Sequence, residues 1–224
     1  DRSVSRGLGD VYKRQLFQDL SEAELDTLAA AGHLRTRQFA KHEVIFHAGS
    51  CVREIGIVLR GSVHIENLDL WGTKSILSSV GAGQAFAETY AFCGEALMVD
   101  AVAAEHCEIL FLHTAALTDA RIEPALQDKL LRRLLAVSMR KNLSLSQRIF
   151  CTTPKTVRGR LLTYFSAQAA RCGRMEFEVP FNRQQMADYL NLDRSALSKE
   201  LCKMRDEGLL EFDKNRFVLK QLPE

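Results

Sequence analysis

Four polar side chains near the C-terminal end of the chain have the types and spacing of a surface that reads nucleic acid. Their positions i, i+1, i+4 and i+5 share one side of a helix, near its first turn: Arg194, Ser195, Ser198 and Lys199. Arginine can bond the O6 and N7 atoms of guanine with two hydrogen bonds, lysine can approach the same edge, and serine can contact several bases or a phosphate. The pattern therefore predicts base reading in a groove of double-stranded DNA.

The elements that must position this face are two short helices joined by a turn within residues 182–207. Asn182 is a good N-cap with Gln185 three residues later, which predicts a helix over 183–190, and Asp193 can cap the next helix. Apolar residues at helical spacing supply a core that the two helices share: Met186, Ala187, Leu190, Leu192, Leu197, Leu201 and Met204. This arrangement is typical of a helix-turn-helix, in which the second helix lies in the major groove.

A hairpin is predicted directly after the second helix. Gly208 ends that helix, and apolar segments at 209–212 and 216–219 flank a polar turn at 213–215. We interpret this hairpin as the wing of a winged helix-turn-helix domain.

The charge of the chain indicates a polyanionic partner for its C-terminal part. The formal net charge of +2 conceals an asymmetry, because residues 16–120 hold 6 Lys and Arg against 14 Asp and Glu, whereas residues 121–224 hold 20 against 12. Such an asymmetry predicts that only one part faces DNA. Residues 155–224 alone hold 13 against 10, so the placement of basic side chains, more than net charge, has to make the contact.

Composition and motifs exclude several classes of protein. With 46% hydrophobic and 26% charged residues, the chain can bury a core, which excludes general disorder. No apolar run approaches the roughly 18 residues that cross a bilayer, so no membrane association is predicted. The six cysteines are dispersed without a CxxC pair, and we expect reduced thiols in a cytoplasmic protein. Since no Gly-rich phosphate loop, nucleophile elbow or HExxH pair is present, the sequence predicts neither an enzyme nor a metal site.

The fold prediction begins at residue 16. Residues 1–15 are interpreted as an artefact or a disordered tail, because residues 10–15 can be back-translated into a string that resembles a transposon-end sequencing adapter. A capping box at Ser21 predicts a helix at about 21–31. Between 38 and 112, short β-rich segments separated by glycines predict an antiparallel sandwich or barrel.

A long helix is predicted to begin at Pro124 and to run for roughly 25 residues. It carries more leucines than one apolar face needs, so we expect it to pack on its own β-domain on one side and on a symmetry partner on the other. The side chains assigned to the dimer contact are Leu130, Leu134, Val137 and Leu145. Thr153 and Pro154 then give the start signal of a further helix, with Gly173 near its end, and we expect a hinge at this break.

The order of these parts resembles the Crp/Fnr family of bacterial transcription regulators over residues 16–222. The strongest match is FNRQQMADYLNLDRSALSKEL followed by MRDEGLL, and weaker ones are TVRGRL, which is similar to the first helix of the DNA-binding domain, and IVLRGSVHI, which is similar to a hairpin of the sensor barrel. The resemblance implies an α+β chain with a cyclic-nucleotide-binding-type jelly roll at 16–120, a dimerisation helix at 121–152 and a winged helix-turn-helix at 153–224.

The resemblance also implies roles for individual side chains. Arg194 and Lys199 would read base edges, with Ser195 and Ser198 beside them. Contacts to the DNA backbone are assigned to Asn182, Arg183, Gln184 and Lys203. Many members of the family have a glutamate at the position of Ser195, so we expect an operator that differs from the best-known ones.

The resemblance places an effector pocket in the jelly roll. The residues assigned to it are Phe86, Glu88, Thr89, Met98, Val99, Leu145 and Ser146. Members that bind cyclic AMP hold its phosphate with an arginine, and that position is Met98 here. No other Lys or Arg lies between Lys74 and Arg121, and a thioether cannot replace a cation, which argues against cyclic AMP. Cys93 and Cys107 are the candidates for a redox-sensing site.

The function predicted from the sequence is a homodimeric transcription regulator that binds a pseudo-palindromic operator. A small molecule or a redox event, whose identity the sequence does not give, would control it, and RNA polymerase would be a further partner. Two alternatives stay open. One is a regulatory module that acts through protein–protein contact, and the other is a haem- or metal-bound gas sensor of the same family.

Overall fold

The computed structural model describes residues 16–68 and 74–220, so the suspected artefact at residues 1–15 lies outside the described part of the chain. The chain divides into two compact units within one long helix. The first unit ends at Arg140 and the second begins at Lys141. Across the described ranges, no helix combines the length and the apolarity that a membrane crossing requires.

The first unit is an antiparallel β-sandwich, which confirms the predicted fold class. Its helices are α1 (Glu22–Ala30), which the capping box of Ser21 and Glu24 begins, and the short α2 (Glu88–Cys93). The strands are β1 (Leu34–Phe39), β2 (Val44–Phe46), β3 (Glu54–Arg60), β4 (Ser62–Leu68), β5 (Lys74–Gly81), β6 (Ala85–Phe86), β7 (Asp100–Ala103) and β8 (Cys107–His113). They form two sheets of four described strands each, in the orders β1-β8-β3-β6 and β2-β7-β4-β5, which is a jelly-roll arrangement.

Aromatic side chains fill the interior of this sandwich. The ring of Phe46 lies 5.8 Å from that of Phe86 and 5.6 Å from that of Phe111, and all three side chains are buried. The ring of Phe86 also lies against the backbone of Gly56, where a Cβ atom would come within 2.2 Å of it. Strand β3 therefore needs a glycine at this point so that the ring can approach the backbone.

A long helix, α3 (Pro124–Thr152), begins at the predicted proline. Its buried side chains in the first unit include Leu130, Leu134 and Val137, and they belong to the core that also contains Ile57 of β3. This burial corrects the sequence analysis, which assigned these three side chains to a dimer contact. Because they pack on their own unit, they are not available to a partner. Leu145, the fourth residue of that assignment, is 61% exposed.

The second unit contains the remaining helices and three short strands. They are α4 (Val157–Cys172), β9 (Glu176–Glu178), α5 (Arg183–Leu190), α6 (Arg194–Asp206), β10 (Leu210–Asp213) and β11 (Arg216–Leu219). Strands β10 and β11 pair as the predicted hairpin, and β9 joins the other edge of β11.

The start of α4 differs from the sequence prediction. The helix begins after Thr156, whose side chain accepts a hydrogen bond from the backbone N–H of Gly159. Thr153 instead closes α3, because its hydroxyl donates to the carbonyl of Ile149 at 2.8 Å. The Thr-Pro pair was therefore misassigned as a helix start. Gly173 ends α4, as predicted, and it adopts the left-handed conformation there.

Candidate nucleic-acid interface

Helix α5 is held in place by caps at both ends. At its start, Asn182 and Gln185 form the predicted capping box, with both hydrogen bonds at 2.9 Å. At its end, Asn191 adopts the left-handed conformation with φ of 52° and begins the turn toward α6. The backbone N–H of Leu192 then donates to the carbonyl of Ala187 at 2.9 Å, which closes the turn. These contacts fix the direction in which α6 leaves the turn.

Helix α6 packs on α5 through six side chains that are 0% exposed, and all six were predicted: Met186, Ala187, Leu190, Leu197, Leu201 and Met204. Its N-cap is Asp193, as predicted. The carboxylate of Asp193 accepts hydrogen bonds from the backbone N–H groups of Ser195 at 2.8 Å and Ala196 at 3.0 Å. The Ser195 hydroxyl and these N–H groups hold the pKa of the Asp193 carboxyl below its usual range.

The outer face of α6 is polar and basic. Arg194, Ser195, Lys199 and Lys203 are exposed, and Ser198 is half-buried. No ion pair within the described residues neutralises Arg194 or Lys199. The Ser195 hydroxyl donates to the Asp193 carboxylate at 2.5 Å, so its oxygen lone pairs are what it offers outward. This face can donate hydrogen bonds from two cations and accept one at the serine between them.

The predicted phosphate contact at Arg183 is only partly open to solvent. Its guanidinium lies 5.0 Å from the ring centres of both Phe212 and Phe217, which belong to the hairpin. Burial lowers the pKa of Arg183, and its Nη1 atom is buried without a hydrogen-bond partner among the described residues. Arg183 therefore joins α5 to the hairpin, and only the rest of its guanidinium can face a ligand.

A cleft lies where the starts of α5 and α6 meet the turn of the hairpin. Its lining carries three cationic side chains and no carboxylate: Asn182, Arg183, Gln184, Arg194, Lys214 and Asn215. Four of these residues were predicted from the sequence to contact DNA. Lys214 and Asn215 were not predicted. They stand in the polar turn of the predicted hairpin, and the basic residue in this turn could have indicated a DNA contact. The cleft can accept a phosphate group by charge and by hydrogen bonding.

Three further arginines hold helices α5 and α6 in place, and no role was predicted for them from the sequence. Arg148 donates to the carbonyls of Asp188 and Tyr189, both at 3.0 Å, and Arg160 donates to those of Leu190 and Asn191 at 3.1 and 2.7 Å. These four carbonyl groups lie at the C-terminal end of α5 and in the turn that follows. The two guanidinium groups therefore satisfy carbonyls that have no partner within the helix and offset the negative end of its dipole.

Arg158 ties α4 to α6. Its Nε atom donates to Glu200 at 2.5 Å, and its two Nη atoms donate to Glu207 at 2.8 and 2.9 Å. These carboxylates raise the pKa of Arg158, and Arg158 holds the pKa of Glu207 below its usual range. Several cations that the charge count attributed to DNA binding therefore serve internal contacts.

The residues assigned to an effector pocket occupy different environments. Within the first unit, Phe86 is 2% and Glu88 7% exposed, whereas Met98 is 78% exposed, Thr89 is exposed and Val99 is half-buried. Phe86 is a core side chain that packs on Phe46 and Gly56, and its assignment to an effector pocket stays a prediction. Leu145 and Ser146 lie on the exposed part of α3 that belongs to the second unit: residues 142–150.

The two redox candidates also differ. Cys107 is fully buried, and its thiol donates to the carbonyl of Ser62 at 2.9 Å, so it is a core residue and does not suit a sensor role. Cys93 is exposed at the end of α2. No cluster of three or more His, Cys, Asp or Glu side chains with the arrangement of a metal site occurs among the residues that the structure covers.

Two family models match the chain. Residues 36–121 match the cyclic nucleotide-binding domain, and residues 159–224 match the Crp-like helix-turn-helix domain. No match was found among curated proteins.

Solved structures show the same fold. A cyclic nucleotide-binding domain from Methylobacillus flagellatus KT is 23% identical with a TM-score of 0.53, over 66% of this chain and 82% of that one. The c-di-GMP responsive global regulator CLP of Xanthomonas campestris is 18% identical with a TM-score of 0.53, over 90% of this chain and 100% of that one. The N-terminal domain of a transcriptional regulator from Streptomyces coelicolor A3(2) is 24% identical with a TM-score of 0.50, over 59% and 94%. With both of its domains matched in this order, the chain belongs to the Crp family of transcription regulators, which are DNA-binding proteins and not enzymes.

Proposed function

We propose that this chain is a sequence-specific transcription regulator that acts as a homodimer and inserts α6 into the major groove of a pseudo-palindromic operator. The observation that carries the proposal is the exposed face of α6, where Arg194 and Lys199 have no ion pair within the described residues. Two such faces related by a two-fold axis would contact half-sites one helical turn apart. In this proposal the protein acts in the cytoplasm, where its DNA lies, and RNA polymerase is a further partner.

We assign base contacts and phosphate contacts on this surface according to which side chains are exposed. Arg194 and Lys199 donate to base edges, and Ser195 accepts, which suits the amino group of cytosine or adenine. Backbone phosphates are contacted by residues of the cleft and of the later part of α6: Asn182, Arg183, Gln184, Lys203 and Lys214. Such contacts make affinity depend steeply on salt concentration.

The operator sequence is identified first, by selecting the genomic fragments that the purified protein binds. On the selected site, Arg194→Ala is expected to lower affinity by about 1–3 kcal/mol and to relax specificity at one base pair of each half-site. Lys203→Ala is the matched control, because loss of a phosphate contact weakens binding to all sequences alike and reduces the salt slope by about one.

Two results would contradict this assignment. Equal loss of affinity by Arg194→Ala on all DNA sequences would make Arg194 a phosphate contact. Absence of salt-sensitive, sequence-selective retention of any DNA would instead favour a module that acts through protein–protein contact.

The dimer contact in this proposal uses the exposed side of α3. Its large apolar side chains there are Leu131, Leu135, Met139, Leu143, Leu145, Ile149 and Phe150, each at least 47% exposed. An apolar row of this kind on a helix is typical of a protein–protein interface. It replaces the buried set that the sequence analysis assigned.

We further propose that cyclic AMP does not control this regulator. The family resemblance puts Met98 at the position of the phosphate-binding arginine; Met98 is 78% exposed, and residues 75–120 contain no Lys or Arg. A phosphodiester would lack a cation from this part of the jelly roll. Titration with cyclic AMP is expected to give no binding at micromolar concentrations, and saturable binding there would refute this view.

A further inference from the structure

The exposed side of α3 follows a seven-residue repeat. Six positions are spaced alternately by four and three residues: Leu131, Leu135, Ser138, Asn142, Leu145 and Ile149. This is the spacing of the a and d positions of a left-handed two-stranded coiled coil. Leu135 and Ile149 then occupy a positions, and Asn142 occupies the a position between them.

The area of this side of the helix suits a second copy of the chain. Its seven large apolar side chains are between 47% and 66% exposed. At roughly 150–200 Å² for each fully exposed side chain, the four at repeat positions (Leu131, Leu135, Leu145 and Ile149) offer on the order of 350–450 Å² per protomer, about half of the ~800 Å² that each partner contributes to a stable interface. Met139, Leu143 and Phe150 extend the apolar surface beside the repeat. A second α3 carries the same repeat, so its side chains match this surface.

Charge cannot set the orientation of two such helices. The sequence has no Asp or Glu between Asp128 and Glu176, and the positions that flank the repeat carry basic residues such as Lys141 and Arg148. Interhelical salt bridges at these flanking positions usually determine whether two helices run parallel and in which register. Within 129–152 no such bridge can form between two copies of α3.

We propose that Asn142 takes over this role by pairing with the partner's Asn142 across the two-fold axis. Its amide group carries a donor and an acceptor, so two copies can exchange hydrogen bonds with each other. Ser146 donates to the Asn142 Oδ1 atom at 3.4 Å, which leaves the amide N–H groups for the partner. A pair slipped by one repeat would bury Asn142 against Leu135 or Ile149, at the cost of an unsatisfied amide, and the trapping experiment below separates parallel from antiparallel pairs. The proposal rests on the proposed homodimer.

Disulfide trapping tests the arrangement. In the full chain with the four exposed cysteines replaced by serine, Leu135→Cys and Ile149→Cys are each expected to link two copies on mild oxidation. In an antiparallel pair centred on Asn142, identical positions would lie about 21 Å apart at 1.5 Å per residue, beyond the reach of a disulfide. Gln147→Cys, on the opposite side of the helix, is the control that should not link. Linking of Gln147→Cys, or none at positions 135 and 149, would overturn the proposal.

The role of Asn142 itself is tested by Asn142→Leu in the same background. The dimer Kd is expected to fall by at least about tenfold, and the linking yields at positions 135 and 149 to fall by at least half, because other registers and oligomers become accessible. Gln147→Leu should change neither quantity. If Asn142→Leu remains strictly dimeric with unchanged yields, Asn142 has no such role, although the homodimer stands. A monomeric unsubstituted chain in sedimentation equilibrium would refute the homodimer as well.

Discussion

Gly56 offers the sharpest test of the packing inside the first unit. A Cβ atom at this position would lie 2.2, 2.4 and 2.7 Å from the Cζ, Cε1 and Cε2 atoms of Phe86. Non-bonded carbon atoms are stable at about 3.5–4.0 Å, so Gly56→Ala must displace the ring by more than about 1 Å. Phe86 is 2% exposed and its ring centre lies 5.8 Å from that of Phe46, so the packed interior opposes such a movement.

The expected cost of Gly56→Ala is about 1–3 kcal/mol in the free energy of unfolding, which is the usual range for overpacking a core. The φ angle of Gly56 is not positive, so the effect is steric and involves no left-handed backbone. Phe86→Leu removes the three ring atoms that the new Cβ would meet. In that background, Gly56→Ala should cost at least ~1 kcal/mol less, which is a measurable coupling between contacting residues.

Amide hydrogen exchange of β3 and β8 is the suitable assay, because it reports the stability of this unit separately from the second one. Gly81→Ala is the matched control, since its Cβ would meet only the Oε1 atom of Gln84, at 3.9 Å. Equal protection in Gly56→Ala and Gly81→Ala would refute the reasoning. Additive costs in Gly56→Ala combined with Phe86→Leu would refute it too.

Two further predictions concern titration and thiol reactivity. Because the folded-state pKa of Asp193 lies below the usual aspartate value, its stabilisation of α6 is present at neutral pH and is lost as the pH falls below about 4 through that lowered pKa. Asp193→Asn should therefore flatten the stability of the second unit between about pH 5 and pH 2, and an unchanged acid profile would contradict this. In the native protein, iodoacetamide should modify Cys93 but spare Cys107 until urea unfolds the chain. Mass spectrometry of the peptides checks this, and rapid native labelling of Cys107 would show that its burial is wrong.

Local signals in the sequence determined much of the two-helix segment α5–α6. The capping box of Asn182, the cap at Asp193 and six of the seven predicted core side chains follow from residue type and spacing within a short segment, and the structure has them; the seventh, Leu192, is half-buried against this core. The antiparallel β-domain was also predictable, because β-rich segments separated by glycines have few alternative folds.

Tertiary structure decided which side of each element meets which neighbour. The sequence of α3 shows two apolar sides but not which one the β-domain covers, and the structure buries Leu130, Leu134 and Val137 there. Arg183 was assigned to DNA from its position in a motif, yet its guanidinium stacks on two phenylalanines from β10 and β11. Such contacts join residues that are distant in the chain, and periodicity carries no information about them.

At the candidate DNA interface, too, the relations within one helix were predictable from the sequence, whereas contacts between distant segments were not. Sequence alone placed Arg194 and Lys199 on one side of α6, because the helical repeat fixes that relation. Only the folded chain brings Lys214 of the hairpin turn into the same cleft as Arg194, and only it uses Arg158 inside the protein. Residue spacing determined the chemistry that is available, and long-range packing decided which of it faces outward.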